Sequence, residues 1–434
     1  MKVLVLSQYW YPENGVPQRR WSWISNILRS LGHEVVAIVP PPHYEREISV
    51  RQWLAFPKTK KNNVLEIGPS GEKIARSAYF PAGKSVTQRV LNQATVGLGA
   101  VWMIARNPQW LRDFSPDLII ATVPALPTSF VATIASRILG IPYHVDLRDA
   151  WPDLLDESDE WNRATGQKSI REKILTKGPF QILRALTRVA VNYSLKNSDS
   201  IIVTSKYLEA DLKSRKELFK YDTPPKVVTI RNLFPSETRF EKHEKKSVLR
   251  KPGTLNVLYA GTLGRAQNLL NVLEAFALTR DMGVDIHVRM IGAGASREAL
   301  TDRIKERGLD IVIESRKPAS ELEEAYSWAD TALVHLTDWE PLRRAVPSKT
   351  YELMSAGIHI SGVLDGEGAD LIQEMDAGHV VPPESPAELA DLWFKLANDR
   401  KLLDVSNKGA QWVNRQKESE VPLLLSRLVG GTSA

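Results

Sequence analysis

The stretch that decides the fold is KVLVLSQYWYPENGVPQRRWSWISNILRSLGHEVVAIVP, residues 2–40. Its first run, KVLVLSQ (2–8), has the β-branched, apolar composition of a buried strand and ends in a polar loop. Apolar residues then recur with helical spacing up to Gly32, at Trp21, Ile24, Ile27, Leu28 and Leu31. A second strand, HEVVAIVPP, follows. Two strands joined through a helix predict a βαβ unit and therefore a parallel sheet.

The same alternation continues along the chain. Further strands are predicted at residues 117–124, 141–149, 200–205, 255–261, 284–292, 331–336 and 359–364. Helical patterns separate them, for example at 268–279 and 296–308. We therefore expect an α/β fold of two Rossmann-like, doubly wound parallel-sheet domains facing a cleft. In such sheets ligands bind beyond the carboxyl ends of the strands, so the loops there are the places to search.

The domain boundaries follow from length and composition. A chain of 434 residues suggests two domains. Residues 233–254 are polar, charged and rich in proline, which predicts an interdomain linker. The N-terminal domain would then span 1–232 and the C-terminal domain 255–405. Residues 406–434 read as a helical segment with an apolar stripe, a candidate to pack back on the N-terminal domain.

Composition excludes several classes of function. The chain has no cysteine, which rules out disulfides and thiolate nucleophiles and fits a cytoplasmic location. Its net charge of +6 is a mild bias toward anionic partners, without the dense basic face of a nucleic-acid-binding protein. We expect no signal peptide, and the apolar run at 95–105 is about half of the ~20 residues that a membrane span needs.

Three glycine-containing loops follow predicted strands. Gly15 precedes the first helix, where it could admit an anion or simply form a turn. Gly264 and Arg265 follow the first strand of the second half, and Arg265 could grip a diphosphate or remain solvated. Gly292 and Gly294 resemble the start of a dinucleotide fingerprint. Arg297 occupies the third glycine position, which disfavours that interpretation but leaves a loop that could line the cleft.

RRAVPSKTYELMSAG (343–357) carries a second pair of candidates. Pro347 should end the loop, Ser348 should cap a helix, and Gly357 should end it. Lys349 then lies in the first turn, where a cation is unfavourable unless an anion is bound in front. Glu352 lies on the same face and could accept hydrogen bonds from ribose hydroxyls. The alternative is a plain surface salt bridge between the two residues.

These stretches, together with PDLIIATVPALPT, VDLRDAWPD and IIVTS, resemble the retaining glycosyltransferases of family 4, which have the GT-B fold. Within that family the chain is similar to enzymes of capsule, O-antigen and exopolysaccharide assembly. The resemblance implies that Arg265 and Lys349 contact the donor diphosphate and that Glu352 holds the ribose. It also implies that Gly15 lies near the donor sugar and diphosphate.

Two positions depart from the family pattern. Arg344 stands where relatives have a glutamate that contacts the donor sugar, which puts the identity of that sugar in doubt. Glu340 is too distant in the loop to be assumed a substitute. The N-terminal domain histidine of the family has no clear counterpart, and of His144 and Asp149 the better catalytic candidate is Asp149, beside Trp151.

The family's reaction implies transfer from a nucleotide sugar, most simply UDP-linked, with the leaving diphosphate accepting the acceptor's proton. We expect no cofactor and no metal, because the eight histidines form no ligand-spaced set. The expected acceptor is a saccharide or a polyprenyl-linked saccharide. Basic and aromatic residues at 51–61 and at Lys84, Arg89, Trp102, Arg106, Trp110 and Arg112 suggest peripheral binding to an anionic membrane, or else a solvated core element.

Two other functions remain open from the sequence. One is a nucleotide-sugar 2-epimerase of the same fold, which would need acidic and histidine residues around the sugar. The other is a non-catalytic nucleotide-sugar-binding subunit, an alternative that rests on Arg344.

Overall fold

The computed structural model describes residues 1–13, 15–42, 50–55, 65–81, 86–123, 125–155, 179–218, 224–234, 251–317 and 319–430. Packing divides the chain into two compact units. Unit 1 comprises Met1–Pro152, Gln181–Phe234 and Glu418–Ala434, and unit 2 comprises Asp153–Phe180 and Pro235–Lys417. Most of the predicted linker, residues 235–250, lies outside the described residues, as does Lys84.

Unit 1 is built on a largely parallel sheet. Its strands are Lys2–Leu6 (β1), Glu34–Val39 (β2), Glu66–Ile67 (β3), Lys73–Arg76 (β4), Leu118–Thr122 (β5), Tyr143–Leu147 (β6), Ser200–Val203 (β7) and Lys226–Thr229 (β8). Among the described residues these eight strands are ordered β3-β4-β2-β1-β5-β6-β7-β8. The edge strand β3 runs antiparallel to β4, and the remaining pairs are parallel.

Helices cover the sheet of unit 1. They are Val16–Ser30 (α1), Val50–Ala55 (α2), Val86–Arg106 (α3), Gln109–Phe114 (α4), Pro127–Leu139 (α5), Pro179–Lys196 (α6) and Lys206–Ser214 (α7). The predicted βαβ unit is confirmed: α1 buries Trp21, Ile24 and Leu28, and β1 pairs in parallel with β2. Continuous burial of β1 and β5 explains their apolar runs, because helices cover both faces of such a sheet.

Unit 2 repeats the plan with a fully parallel sheet. Its strands are Thr254–Thr262 (β9), Asp285–Ala293 (β10), Ile311–Glu314 (β11), Thr331–His335 (β12), His359–Val363 (β13) and Gly378–Val381 (β14). Its helices are Leu270–Asp281 (α8), Arg297–Arg307 (α9), Ala319–Trp328 (α10), Ser348–Ala356 (α11), Glu367–Glu374 (α12), Pro386–Asn398 (α13) and Lys408–Arg415 (α14). The strand order in the described part of the unit is β11-β10-β9-β12-β13-β14.

Each sheet has one point where the strand order reverses direction. In unit 1 this point lies between β1 and β5, and in unit 2 it lies between β9 and β12. The loops that leave two such strands diverge to opposite faces of the sheet and open a crevice at their carboxyl ends, where ligands bind. In unit 2 the two loops are residues 263–269 and 336–347.

The C-terminal segment is less regular than its sequence suggests. Residues 406–434 are expected to be helical, but α14, a π turn (Gln416–Glu420) and a last helix, Val421–Gly430 (α15), follow one another there, after a short 3₁₀ turn (Arg400–Leu403). Helix α15 belongs to unit 1 and contacts α1 there. The Leu428 carbonyl lies 3.3 Å from Nε2 of His144. The expectation that His144 lies at a functional strand end is therefore wrong, because its side chain is buried near the start of β6 against this helix.

Candidate functional site

Three loops meet at the carboxyl edge of the unit 2 sheet. Arg265 opens a short 3₁₀ turn, Arg265–Gln267, directly after Gly264. The Ala266 carbonyl in this turn accepts a 2.9 Å hydrogen bond from the Thr337 backbone N–H. The Thr337 hydroxyl in turn donates to Glu384, which lies after β14, at 2.6 Å. These bonds fix the turn that carries Arg265 to the loops after β12 and β14.

His335 interacts with the backbone of Gln267 in the same turn. It is the last residue of β12 and is almost fully buried. Burial lowers the pKa of His335 to about 3, although the Gln267 backbone acts in the opposite direction. A neutral ring can accept, and Asn271 Nδ2 lies 3.0 Å from His335 Nε2. Neither Thr337, Glu384 nor His335 was found from the sequence, because isolated polar residues after a strand give no periodic signal.

Gly292 and Gly294 have a packing role that the sequence did not reveal. A Cβ atom on Gly292 would lie 1.9 Å from the Gly261 carbonyl oxygen, and one on Gly294 would lie 2.2 Å from the Leu263 carbonyl oxygen. Both contacts are with backbone, so they cannot be relieved by a side-chain rotation. Close approach of the β9 and β10 ends therefore explains both glycines, and their part in donor binding remains a prediction. Arg297 donates to the Gly292 and Glu314 carbonyls, each at 2.9 Å.

Lys349 and Glu352 form a triangle with Tyr326 of α10. Lys349 Nζ donates to the Tyr326 hydroxyl at 2.8 Å and to Glu352 at 3.1 Å. The Tyr326 hydroxyl donates to the other Glu352 oxygen at 3.3 Å. The predicted helix is confirmed, with Gly357 in the left-handed conformation at its end. The predicted cap is wrong: Ser348 is the first residue of α11, Pro347 precedes it, and no side chain caps the helix.

This triangle is more enclosed than a surface salt bridge. The side chains of Lys349 and Glu352 are 24% and 15% exposed. Burial alone would lower the pKa of Lys349, but Tyr326 and Glu352 outweigh it and leave that pKa raised. Burial raises the pKa of Tyr326 to about 12, with Lys349 acting against the shift. The ammonium is therefore retained at neutral pH, at the N-terminal turn of a helix whose backbone N–H groups point the same way.

Arg344 is enclosed by carboxylates. It closes a 3₁₀ helix, Glu340–Arg344, in the loop after β12. Its guanidinium donates to Asp153 and to Glu340, each at 2.8 Å. The neighbouring Arg343 pairs with Asp338 and Asp365. Glu340, which the sequence did not offer as a substitute for the family glutamate, thus pairs with Arg344 within the same short helix.

In unit 1 the predicted residues lie at the carboxyl edge of β1 and β6. Gly15 precedes α1, and its N–H donates to Gln18 Oε1 at 3.1 Å. Asp149 follows β6, and its backbone carbonyl accepts from the Trp151 N–H at 2.7 Å. Asp149 as a whole residue is exposed to solvent. The protein atoms around its carboxyl group nevertheless desolvate it, and this raises the pKa of Asp149 although Arg148 acts to lower it. The catalytic role of Asp149 remains a prediction.

A buried ion pair underlies this edge of unit 1. Arg20 of α1 and Asp146 of β6 are both fully buried and meet at 2.8 Å. Trp21 Nε1 donates to the second oxygen of Asp146 at 3.0 Å. Burial acts to raise the pKa of Asp146, but Arg20 outweighs it, so the pKa is lowered and the carboxylate stays charged. Arg20 also donates to the Ile230 and Arg231 carbonyls, which ties α1 to the segment after β8.

The predicted residues therefore fall into two groups. Gly264, Arg265, Gly292, Gly294, Arg344, Lys349 and Glu352 lie at the carboxyl edge of the unit 2 sheet, and Gly15 and Asp149 lie at that of unit 1. The unit 2 group includes both loops of the switch point between β9 and β12. It offers cations, a helix N-terminus and carboxylates, a combination suited to a ligand with both phosphates and hydroxyls.

Comparisons with known proteins agree with this arrangement. The family model described as "Glycosyl transferase 4-like domain" matches residues 15–230, and the model "Glycosyl transferases group 1" matches residues 240–413. Together they span nearly the whole chain. A search of the curated proteins found no match.

Solved structures share the fold at low sequence identity. Sucrose-phosphate synthase from Thermosynechococcus elongatus is 14% identical at a TM-score of 0.67, over 99% of this chain and 98% of that chain. Anabaena HepE in complex with UDP-glucose is 14% identical at a TM-score of 0.64, and the match covers 99% of this chain and 100% of that chain. WaaG, a glycosyltransferase involved in lipopolysaccharide biosynthesis, is 15% identical at 0.58, over the full length of both chains. The chain belongs to the GT-B glycosyltransferases, with a glycosyl transferase 4-like domain followed by a glycosyl transferases group 1 domain.

Proposed function

We propose that this protein is a retaining glycosyltransferase that uses a UDP-linked sugar, such as an N-acetylhexosamine, in cell-surface glycan synthesis. The acceptor is a saccharide or a polyprenyl-linked saccharide. The observation that carries the proposal is the placement of Arg265 and Lys349 on one edge of the unit 2 sheet, at loops bordering its switch point. Two structural relatives support the substrate class, since HepE was solved with UDP-glucose and WaaG acts in lipopolysaccharide biosynthesis.

The donor diphosphate would bind at this edge. Lys349 has three N–H donors and uses two of them, on Tyr326 and Glu352, among the residues that the structure describes. The third can meet a phosphate oxygen, and the N-terminal N–H groups of α11 can add to it. Arg265 would donate two parallel hydrogen bonds to the diphosphate from the turn that Thr337 and Glu384 hold in place. Glu352 would accept from the ribose hydroxyls through oxygens that the triangle keeps oriented.

The chemistry then requires no protein nucleophile. The bond between the anomeric carbon and the diphosphate oxygen breaks, and the acceptor oxygen bonds to that carbon on the same face. The acceptor's proton passes to the departing diphosphate. Arg265 and Lys349 stabilise the charge that develops on the diphosphate, a contribution of the kind that is worth about 10²–10³ in turnover per donor. Asp149 is the candidate in unit 1 for orienting the acceptor hydroxyl, and independence from metals remains a prediction.

A donor panel tests this proposal. The purified protein would be incubated with UDP- and GDP-linked sugars, with and without an extract of lipid-linked acceptors, and the products followed by mass spectrometry and by NMR of the anomeric configuration. Acceptor-dependent transfer from a UDP-sugar with retained configuration is expected. Inverted configuration would refute the mechanism, epimer formation without acceptor would favour the epimerase alternative, and binding without turnover would favour the non-catalytic one.

We further propose that unit 1 rests on an anionic membrane through helices α3, α5 and α6. Helix α5 contacts α3, and hydrogen bonds join it to α6, for example between Thr133 and Ser194. The outward apolar residues of this layer include Val90, Leu91, Leu98, Trp102, Phe130, Ile138, Ile182, Leu186, Val189 and Tyr193. Leu98 is 72% exposed and Leu186 is 62% exposed, unusual for large aliphatic side chains on adjacent helices.

The charge of this three-helix layer matches an anionic bilayer. None of the three helices contains an aspartate or a glutamate, whereas Arg89, Arg106, Arg137, Arg184, Arg188 and Lys196 all lie in them. Apolar side chains among basic residues are the pattern of interfacial binding, in which burial and attraction to anionic lipids add together. None of the helices that the structure describes is long and apolar enough to span a bilayer.

Flotation with liposomes tests the membrane surface. Wild-type protein should float with vesicles containing phosphatidylglycerol at low salt and remain at the bottom with pure phosphatidylcholine. The double variant Leu98→Glu, Leu186→Glu should lose flotation, because it places two anions in the layer. Met282→Glu, which changes an exposed apolar residue of unit 2, is the matched control. Unchanged flotation of the double variant, or no flotation of the wild type, would refute this surface.

A further inference from the structure

Arg148 is a buried cation whose guanidinium has no hydrogen-bond acceptor among the residues that the structure describes. It follows β6 directly and is 8% exposed. Its Nε and Nη1 atoms are inaccessible to water and make no hydrogen bond within the described part of the chain. An arginine has five N–H donors, and burying them without acceptors costs free energy that folding must offset elsewhere. Such a residue is a candidate for a binding role.

The neighbouring carboxylates, Asp146 and Asp149, attract Arg148 but accept no hydrogen bond from it in the described residues. Asp146 is occupied by Arg20 and Trp21, which hydrogen-bond to both of its oxygens. Asp149 attracts Arg148 without a hydrogen bond to it in the described residues, and Arg20 repels it. Burial, together with that repulsion, lowers the pKa of Arg148 to about 10, so it remains protonated at neutral pH. The guanidinium is therefore charged but donates no hydrogen bond to either carboxylate in the described residues.

The position of Arg148 is that of a ligand-binding residue. The carboxyl edge of the sheet is where α/β folds bind ligands, and Gly15 with the N-terminus of α1 lies on the same edge. The backbone at Arg148 is held in place, because its carbonyl accepts a 3.0 Å hydrogen bond from the Thr204 hydroxyl. A rigid, partly desolvated guanidinium binds an anion more strongly than a solvated one.

We propose that Arg148 binds a phosphate or diphosphate group of a substrate at the carboxyl edge of the unit 1 sheet. The proposal rests on the proposed function only for the source of that group. A diphosphate could belong to the nucleotide donor or to a lipid-linked acceptor, and both present the same oxygens. Such a group would accept hydrogen bonds from Nη2, the guanidinium nitrogen that is not among the inaccessible atoms, and would add negative charge beside Arg148.

Binding measurements on the full-length protein test this site. Calorimetry would give the affinities for inorganic pyrophosphate, UDP and farnesyl diphosphate in wild type, Arg148→Met and Arg148→Lys. Arg148→Met should weaken pyrophosphate binding by about tenfold or more, as expected for loss of a charge-assisted contact worth about 1.4 kcal/mol or more. The affinity of Arg148→Lys for pyrophosphate should lie between those of the wild type and Arg148→Met, since lysine keeps the charge but cannot donate two parallel hydrogen bonds. Lys216→Met, which removes an exposed cation of unit 1, should change nothing.

The source of the phosphate follows from the other two probes. A loss confined to farnesyl diphosphate would assign Arg148 to the acceptor, and a loss confined to UDP would assign it to the donor. Both support the site. Unchanged affinities for all three probes in Arg148→Met would overturn it. Because pyrophosphate binding is independent of turnover, a protein that transfers no sugar yet loses pyrophosphate in Arg148→Met would refute the proposed function and keep this site.

Thermal unfolding separates a binding role from a structural one. Replacing an uncompensated buried charge by an apolar side chain of similar length should leave the melting temperature unchanged or raise it. A fall of the melting temperature in Arg148→Met together with unchanged affinity of the folded protein for pyrophosphate would make Arg148 a structural residue. Arg148→Lys gives a second folded variant in which the same affinities can be measured.

Discussion

The cations at the carboxyl edges of the two sheets differ in their hydrogen-bond and ion-pair partners. In unit 2, Lys349, Arg343 and Arg344 are all paired with carboxylates of the same unit. In unit 1, Arg20 is paired with Asp146 inside the fold, whereas the guanidinium of Arg148 beside them makes no hydrogen bond in the described residues. A ligand at the unit 2 edge therefore meets cations that carboxylates already hold, while one at the unit 1 edge meets a guanidinium that has no hydrogen-bond partner in the described part of the chain.

This difference bears on specificity and stability. Paired cations keep their geometry without a ligand, because the carboxylates hold them in place, so the edge of unit 2 is preorganised. An arginine without an acceptor destabilises the fold until an anion binds, so binding and stability are coupled at the edge of unit 1. Substitutions at Asp146, Lys349, His335 and Tyr326 would change this pairing, and the largest effect on stability is expected at Asp146.

Asp146→Asn should have the largest effect on stability. The change leaves Arg20 fully buried without a counter-charge, and loss of one partner of a buried pair costs about 3–5 kcal/mol. Urea unfolding of the variant measures this loss. Asp113→Asn, an exposed position of unit 1, is the control and should lie within about 0.5 kcal/mol of wild type. If Asp146→Asn and Arg148→Met alter stability equally and in the same direction, the contrast between paired and unpaired cations in unit 1 is wrong.

Lys349→Ala should have the largest effect on catalysis. Loss of the ammonium at the N-terminus of α11 should lower turnover about 10²–10³-fold, because charge developing on the diphosphate loses one donor. Stability should also fall, by about 1.5–3 kcal/mol, because the enclosed triangle loses the hydrogen bonds of a charged group. Glu352→Gln should mainly raise the KM for the donor. Steady-state kinetics of both variants, with the exposed Lys395→Ala as control, give the comparison. Near-normal kinetics in both variants would mean that Lys349 and Glu352 form only a salt bridge and do not bind the donor.

The sequence predicted the scaffold of this edge but not its pairing. Pro347, Gly357 and the strand–helix alternation act locally, so the bounds of α11 and the order of elements could be read from neighbouring residues. Tyr326 lies more than twenty residues before Lys349, and Asp153 lies far before Arg344. Only the folded sheet brings these residues together. Arg148 was passed over for a related reason, because a missing hydrogen bond can be recognised only in three dimensions.

His335 gives a pH-dependent test of the unit 2 edge. Its folded pKa of about 3 lies below the ordinary value near 6.5, so the unfolded chain takes up the proton first as the pH falls. Stability from neutral His335 is complete above about pH 6.5 and falls by about 1.4 kcal/mol per pH unit below it. Urea unfolding at pH 7.5 and 5.5 should show a loss about 1.4 kcal/mol smaller in His335→Gln than in wild type.

The control for this measurement is His287→Gln, because His287 is exposed. That variant should keep the pH dependence of the wild type. Equal pH dependence in wild type and His335→Gln would mean that the pKa of His335 is the same in the folded and the unfolded protein. The ring would then take up a proton in the folded protein as readily as in the unfolded chain, and its role as a neutral hydrogen-bond acceptor at the unit 2 edge would be refuted.

Tyr326→Phe should have the smallest effect of the four. It removes one hydroxyl that accepts from Lys349 and donates to Glu352, so it should cost about 0.5–1.5 kcal/mol of stability and leave the direct contact between the other two in place. UDP affinity should fall far less than in Lys349→Ala, because the ammonium that meets the phosphate remains.

A double-mutant cycle with Lys349→Ala isolates the contribution of Tyr326. Residues in direct contact show coupling of about 0.5–3 kcal/mol, and we expect a value in that range for unfolding. For UDP binding the coupling should be smaller, because Tyr326 acts by holding Lys349 and not by touching the nucleotide. If Tyr326→Phe alone reduces UDP affinity as much as Lys349→Ala, the tyrosine hydroxyl is itself a ligand contact. The unit 2 edge would then resemble the unit 1 edge, because the Tyr326 hydroxyl would bind a substrate directly as well as Lys349 and Glu352.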